Sequence, residues 1–143
     1  MDEYNVKAIN DTYKNAHIAL QSISDLLPEV EDEELKKELQ EEYEGYEVII
    51  GEISTFMAEK GIEPKDINPM KKAMLFSSIK MKTMFNNSRN NAAEMMIKGT
   101  VTGVNELTAM LNQDGRLDPE VTEQIKKLVE LEERYEERLK KYL

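Results

Sequence analysis

The chain has 143 residues, a formal net charge of -10 and 34% charged residues. Such an acidic composition disfavours general affinity for nucleic acid or for anionic lipid. Cysteine is absent, which excludes disulfides, thiolate nucleophiles and zinc-thiolate sites, and His17 is the only imidazole. With six glycines and four prolines, the composition favours an all-α protein with a single domain over residues 1–143.

The first half of the chain predicts two long helices that pair as an antiparallel hairpin. The first covers residues 2–27, with Asp2 as its N-cap and Pro28 beyond its end. The second covers residues 32–60 and stops at Gly61.

The second half predicts a short helix followed by another hairpin. The short helix covers residues 69–85, with Pro69 at its first position, and the long helices cover 88–112 and 118–142. The four long helices match in length, as members of a bundle should. We therefore expect a four-helix bundle of two hairpins, joined by a crossover that contains the short fifth helix.

Three of the long helices carry an apolar stripe, with steps of four and three residues, that places a glutamate at or beside the buried seam. In the last helix Glu132 occupies the middle of the stripe Val121, Ile125, Leu128, Glu132, Tyr135, Leu139, Tyr142. A charge in a bundle core costs free energy unless it is paired. For Glu132 we weigh a structural hydrogen-bonded role, metal ligation and solvent exposure.

Matching the helices by height from their connecting turns places these glutamates near other polar residues. Glu42 falls level with His17, and Glu132 falls level with Gly99 and Gly103. Without side chains at these two glycines, either neighbouring helices come closer or bulky groups such as Tyr46 and Tyr135 fill the space. We expect a buried polar layer at mid-bundle that consists of His17, Glu42, Tyr46, Glu132 and Tyr135. Two alternatives to this layer stay open. A stripe through Tyr43 and Ile50 leaves Glu42 half-exposed, and His17 is a partly buried residue that interacts with a local partner instead of the layer.

A crossover bundle with glutamates at its middle resembles the ferritin and rubrerythrin superfamily, and the likeness covers nearly the whole chain. In that family two helices each give one glutamate and two give Glu-x-x-His, which together bind two iron or manganese ions. Here the residue three positions after Glu132 is Tyr135, and the residue three positions after Glu42 is Gly45, so the histidine of both Glu-x-x-His motifs is missing. The tail ERLKKYL, residues 137–143, is similar to that of small uncharacterised bacterial ferritin-like proteins.

The predicted short helix is rich in methionine and lysine. Its simplest role is to cover an open side of the bundle, with its lysines toward the acidic body. Alternatively, Met74, Met81 and Phe85 form an interaction surface for a second copy, a protein partner or a membrane.

The sequence favours a non-enzymatic ferritin-like bundle, a structural or interaction protein that has lost the di-iron histidines and needs no cofactor. The alternative is a redox or storage protein that binds iron or manganese through Glu42, Glu132 and His17. No apolar run approaches the ~20 residues that span a bilayer, and the acidic start lacks an apolar signal region. We expect a cytoplasmic homo-oligomer, with a dimer favoured.

Overall fold

The computed structural model describes residues 1–65, 88–113 and 115–143, and these residues form helices without any strand. The four long helices are α1 Glu3–Leu26, α2 Glu33–Glu59, α3 Arg89–Leu111 and α4 Pro119–Leu139, and 3-10 turns follow α1 at Leu27–Glu29 and α4 at Lys140–Tyr142. The all-α prediction with four long helices is thereby confirmed. The predicted short helix over 69–85, with Met74, Met81 and Phe85, lies outside the described residues.

Polar residues fix where the helices begin. Asp2 accepts a hydrogen bond of 2.9 Å from the Asn5 amide, and Asp32 accepts one of 2.9 Å from the Leu35 amide. These bonds satisfy N–H groups that have no partner within the first helical turn. Asp118 precedes the first-turn proline of α4, but its side chain makes no capping bond.

Contacts near the helix ends define the directions of the bundle. Asn5, at the start of α1, accepts a hydrogen bond of 2.7 Å from the Asp118 amide, so α1 and α4 begin at the same end. Lys60, just after α2, pairs with Glu120 at the start of α4 at 2.6 Å, so these two helices are antiparallel. Arg89, at the start of α3, lies 5.9 Å from the ring centroid of Tyr142, just after α4, so these two helices are antiparallel and the four helices run up, down, down and up.

The last described residue after α2 and the first residues of α3 lie at opposite ends of the bundle. The Lys65 amide donates to Asn10 of α1 at 3.1 Å, near the end where α1 begins. Arg89, by contrast, lies 4.0 Å from Asp32, at the end where α2 begins. Since α2 has 27 residues, these two ends are roughly 40 Å apart.

The core lies between all four helices, with α1 packed against each of the other three. Its largest enclosed side chains are Tyr46, Ile9, Ile23, Leu26, Leu35, Leu39, Ile53, Met57, Leu107, Ile125, Leu128 and Leu139. Because α1 is covered on several sides, it also buries polar residues, namely Asn5, Asn10, Thr12 and Asn15. No helix in the described ranges is long and apolar enough to cross a membrane.

Candidate functional site

The predicted polar layer contains five residues, and the structure encloses four of them. Glu42 is 0% exposed, Tyr46 and Glu132 are each 1% exposed, and Tyr135 is 4% exposed. Glu42 thus faces the interior, in contrast to the alternative that leaves it half-exposed. His17 is only half-buried, and its ring packs on Tyr13 one turn earlier, with centroids 4.5 Å apart.

Glu132 of α4 is bonded to α2 through Tyr46. The Tyr46 hydroxyl donates a hydrogen bond of 3.0 Å to Glu132 Oε2, while Glu132 Oε1 is buried without a hydrogen-bond partner. Burial is the largest effect on Glu132 and raises its pKa to about 8. The Tyr46 hydrogen bond lowers this pKa, and the charge of Glu106 raises it by a smaller amount. Glu106 itself is exposed on α3.

Gly103 of α3 makes room for Glu132 and for a residue of α1. A β-carbon added at Gly103 would lie 3.2 Å from both Glu132 Oε2 and Asn15 Oδ1. Asn15 is 8% exposed, and its Nδ2 donates to the Gly103 carbonyl at 3.1 Å. The Asn15 Oδ1 atom is buried without a hydrogen-bond partner. Side chains or backbone of all four helices therefore meet around Glu132.

Glu42 belongs to a second group of charged residues, nearer the turn between α1 and α2. Glu38, one helical turn earlier and 8% exposed, accepts hydrogen bonds from Arg138 Nε at 3.1 Å and Nη2 at 3.0 Å. Arg138 also donates to the exposed Glu41 at 2.7 Å. Burial raises the pKa of Glu42 to about 10. A hydrogen bond with Glu38 and the negative charge of Glu38 raise this pKa further, while the positive charge of Arg138 lowers it.

Tyr135 connects the two groups. Its ring meets the Tyr46 ring edge-on, with centroids 5.4 Å apart, and the Arg138 guanidinium lies 5.5 Å from its centroid. Its hydroxyl fills the space that a side chain at Gly45 of α2 would occupy. Burial raises the pKa of Tyr135, with a further rise from Glu42.

The sequence left two alternatives for Gly99 and Gly103, a closer approach of neighbouring helices or filling by Tyr46 and Tyr135, and the structure does not favour filling by the tyrosines. A β-carbon at Gly99 would meet nothing within 4 Å, and the neighbours of Gly103 are Asn15 and Glu132. The tyrosine space lies instead over Gly45, because Tyr135 points toward α2.

The donor set does not fit a di-metal centre. Glu132 faces a phenol, an amide and a glycine, while Glu42 faces Glu38 and the Arg138 cation. A guanidinium beside the carboxyl groups repels a metal ion. Across residues 1–65, 88–113 and 115–143, no group of three or more His, Asp or Glu is placed to hold one. We therefore do not assign Glu42, Glu132 and His17 as ligands.

Three residues of this site were not predicted from the sequence: Glu38, Arg138 and Asn15. Glu38, Glu42 and Tyr46 share one face of α2 at a spacing of four, which was a usable signal. Arg138 follows Tyr135 by three residues on α4. For Asn15 the only signal was its place beside Ala16, which lies on the buried face of α1.

The chain matches no protein-family model. Comparisons with curated proteins and with solved structures give no match either.

Proposed function

We propose that this protein is a non-enzymatic ferritin-like bundle of the bacterial cytoplasm, a structural or interaction protein. In it, a layer of glutamates, tyrosines and an arginine replaces a di-metal centre. The observation that carries the proposal is the hydrogen bond of 3.0 Å from Tyr46 to Glu132, which uses the central carboxyl group to join two helices. A carboxyl group bonded in this way stabilises packing between helices.

The order of the helices supports the ferritin-like part of the proposal. α1 and α4 are parallel, α2 and α3 are parallel, and residues 65 and 88 lie at opposite ends of the bundle. A bundle with one long crossover connection has this arrangement, as ferritin-like folds do.

The enclosure of the layer supports the non-enzymatic part. Glu42, Glu132 and Tyr46 are at most 1% exposed, so a substrate would reach them only if the helices separated. A surface groove beside α4 is lined by Leu117, Pro119, Thr122, Glu123, Lys126, Lys127 and Glu130, and this lining includes no residue of the layer. Catalytic sites are normally concave and open to their substrate.

Metal loading tests the proposal directly. The protein, purified without an affinity tag, is incubated with Fe(II) and then with Mn(II), freed of excess metal and analysed by mass spectrometry for metal per chain. We expect no stoichiometric metal in the wild type or in Glu132→Gln. Two ions per chain, lost in Glu132→Gln but kept in the exposed control Glu130→Gln, would overturn the proposal and favour the redox or storage alternative.

Self-association belongs to the same proposal, with a dimer as the expected state. Light scattering at two protein concentrations measures the mass directly. A monomer at both concentrations would remove this part of the proposal and leave the bundle itself unaffected.

A further inference from the structure

Two carboxyl groups of the layer, those of Glu42 and Glu132, lie out of reach of solvent, and the described residues place little positive charge around them. In the described part of the chain Glu132 has no ion pair, and its only hydrogen bond comes from the neutral phenol of Tyr46. Near Glu42, the single guanidinium of Arg138 already binds Glu38 and Glu41. An unpaired carboxylate in a low-dielectric interior is so unfavourable that the group takes up a proton instead.

Glu38 and Glu42 lie one helical turn apart on α2, and the hydrogen bond between their carboxyl groups, which helps to raise the pKa of Glu42, requires a proton. Two carboxylates have no hydrogen between them and repel each other, whereas a carboxylic acid donates a strong hydrogen bond to a carboxylate. Glu38 Oε1 accepts from Arg138, and Glu38 Oε2 and both oxygens of Glu42 are buried without another donor. One proton on Glu42 therefore converts a repulsive contact into a bond to Glu38.

A proton on Glu132 has a comparable effect. The acid keeps one oxygen as acceptor for Tyr46 and gains an O–H donor at the otherwise unpartnered side. Asn15 Oδ1, a buried acceptor without a donor, lies beside Gly103, as does Glu132 Oε2, the oxygen that accepts from Tyr46. Protonation thus supplies a donor to a cluster that consists mainly of acceptors.

We propose that Glu42 and Glu132 hold protons in the folded bundle, so that the packing of α2 against α4 loosens as the pH rises. Both groups lie at the contact between these helices, through Tyr46 and Glu132 on one side and through Glu38 and Arg138 on the other. This inference does not depend on the proposed function, since it concerns only the protonation of the layer.

Every charged or titratable neighbour along these contacts is compatible with the inference. Glu132 meets Tyr46 from α2 and the charge of Glu106 from α3, and Glu42 meets Glu38 on its own helix and Arg138 and Tyr135 from α4. From α1, Asn15 contributes only a neutral amide. His17 of α1 packs on Tyr13. Of these neighbours only Arg138 favours ionisation of Glu42, and it is shared among carboxylates.

The direction of the pH effect follows from proton binding. The ordinary pKa of a glutamate is 4.5, whereas the folded state has pKa values of about 8 for Glu132 and about 10 for Glu42. Between the two values the folded state binds more protons than the unfolded state, so a rise in pH favours unfolding. The stabilising contribution is complete below pH 4.5 and is lost as the pH rises through 8 for Glu132 and through 10 for Glu42.

Chemical unfolding from pH 5 to pH 9 tests the inference. For each retained proton the unfolding equilibrium constant should rise about tenfold per pH unit within the window. Below pH 8, Glu132→Gln and Glu42→Gln should each lose one of the two tenfold contributions, above pH 8 only Glu42→Gln should lower the slope further, and the double variant should be nearly flat. The exposed controls Glu130→Gln on α4 and Glu44→Gln on α2 should keep the wild-type slope.

Carbon-13 NMR of the glutamate carboxyl groups measures the titration in the folded wild type alone. Variants that fold serve to assign the resonances. Two carboxyl resonances should titrate far above the others, and hydrogen exchange at the amides around Tyr46 and Glu132 should quicken as they do so. If all glutamates titrate near 4.5, or if wild type and double variant share one slope, the inference is wrong.

Discussion

Tyr46 of α2 donates a hydrogen bond of 3.0 Å to Glu132 of α4, across 86 positions of sequence. The bond lies where both side chains are 1% exposed, so each polar atom depends on the other for a partner. It ties the two hairpins of the bundle together at mid-height. A core made only of apolar side chains would fix the relative height of the helices less strictly than this pair does.

Removing the Tyr46 hydroxyl should weaken the bundle measurably. Tyr46→Phe keeps the ring contact with Tyr135 but leaves Glu132 Oε2 without its donor, at a cost of about 1–3 kcal/mol of unfolding free energy. Because the Tyr46 hydrogen bond lowers the pKa of Glu132, this variant should also raise that pKa. Urea unfolding and a carboxyl NMR titration measure the two effects.

The matched control for this variant is Tyr43→Phe, on the same helix but half-buried. It should change the unfolding free energy by less than about 0.5 kcal/mol, as expected for a site away from the layer. Equal effects of the two variants would show that the Tyr46 hydroxyl has no special role.

Two glycines of α2 should respond to alanine with opposite signs. Gly51 is exposed with nothing near its added β-carbon, so Gly51→Ala should stabilise the helix by roughly 1 kcal/mol. At Gly45 the Tyr135 hydroxyl occupies the same space, and overpacking of this kind costs about 1–3 kcal/mol. Gly45→Ala should therefore destabilise the protein.

A second substitution tests the cause of the Gly45 effect. Tyr135→Phe removes the hydroxyl in conflict, so the double variant should recover part of the stability lost in Gly45→Ala, as measured by urea unfolding. An additive result, with no recovery, would mean that Tyr135 is not the obstacle.

The glycines of α3 form a similar pair, one of them beside the layer. Gly99→Ala should stabilise by about 1 kcal/mol, because nothing lies within 4 Å of the added β-carbon. In Gly103→Ala the added β-carbon would lie 3.2 Å from Asn15 and Glu132. This close contact should cancel part or all of the stabilisation expected from the alanine. Thermal and urea unfolding compare the two, and an equal gain at both sites would contradict the close packing around Gly103.

Arg138 should matter chiefly because it binds Glu38. Arg138→Met leaves that buried carboxylate unpaired, and we expect a loss of about 1–3 kcal/mol at pH 7. The loss should stay below the ~3–5 kcal/mol typical of fully buried ion pairs, since the Arg138 side chain is 37% exposed. Urea unfolding measures the change.

Rescue distinguishes lost pairing from lost packing at Arg138. The double variant with Glu38→Gln removes the unpaired charge and should regain much of the stability. The exposed neighbour Arg134→Met should be nearly neutral. Failure of Glu38→Gln to rescue would indicate that the contact of the Arg138 guanidinium with the Tyr135 ring, rather than its ion pair, provides most of its effect.

The sequence by itself determined the helices and much of their inner faces. Caps such as Asp2 and Asp32 act through the chain that immediately follows them, so local chemistry sets the start of each helix. The α4 stripe from Val121 to Leu139, with Glu132 in it, is buried because the 3.6-residue period puts its members on one face.

Only the tertiary structure decided which polar groups meet. The partners Tyr46 with Glu132, Arg138 with Glu38 and Asn15 with Gly103 come from different helices, and their contacts depend on the rotation and height of each helix. Spacing along one helix carries no information about those two quantities. The raised pKa values of Glu42 and Glu132 have the same origin, because burial by neighbouring helices is their largest cause.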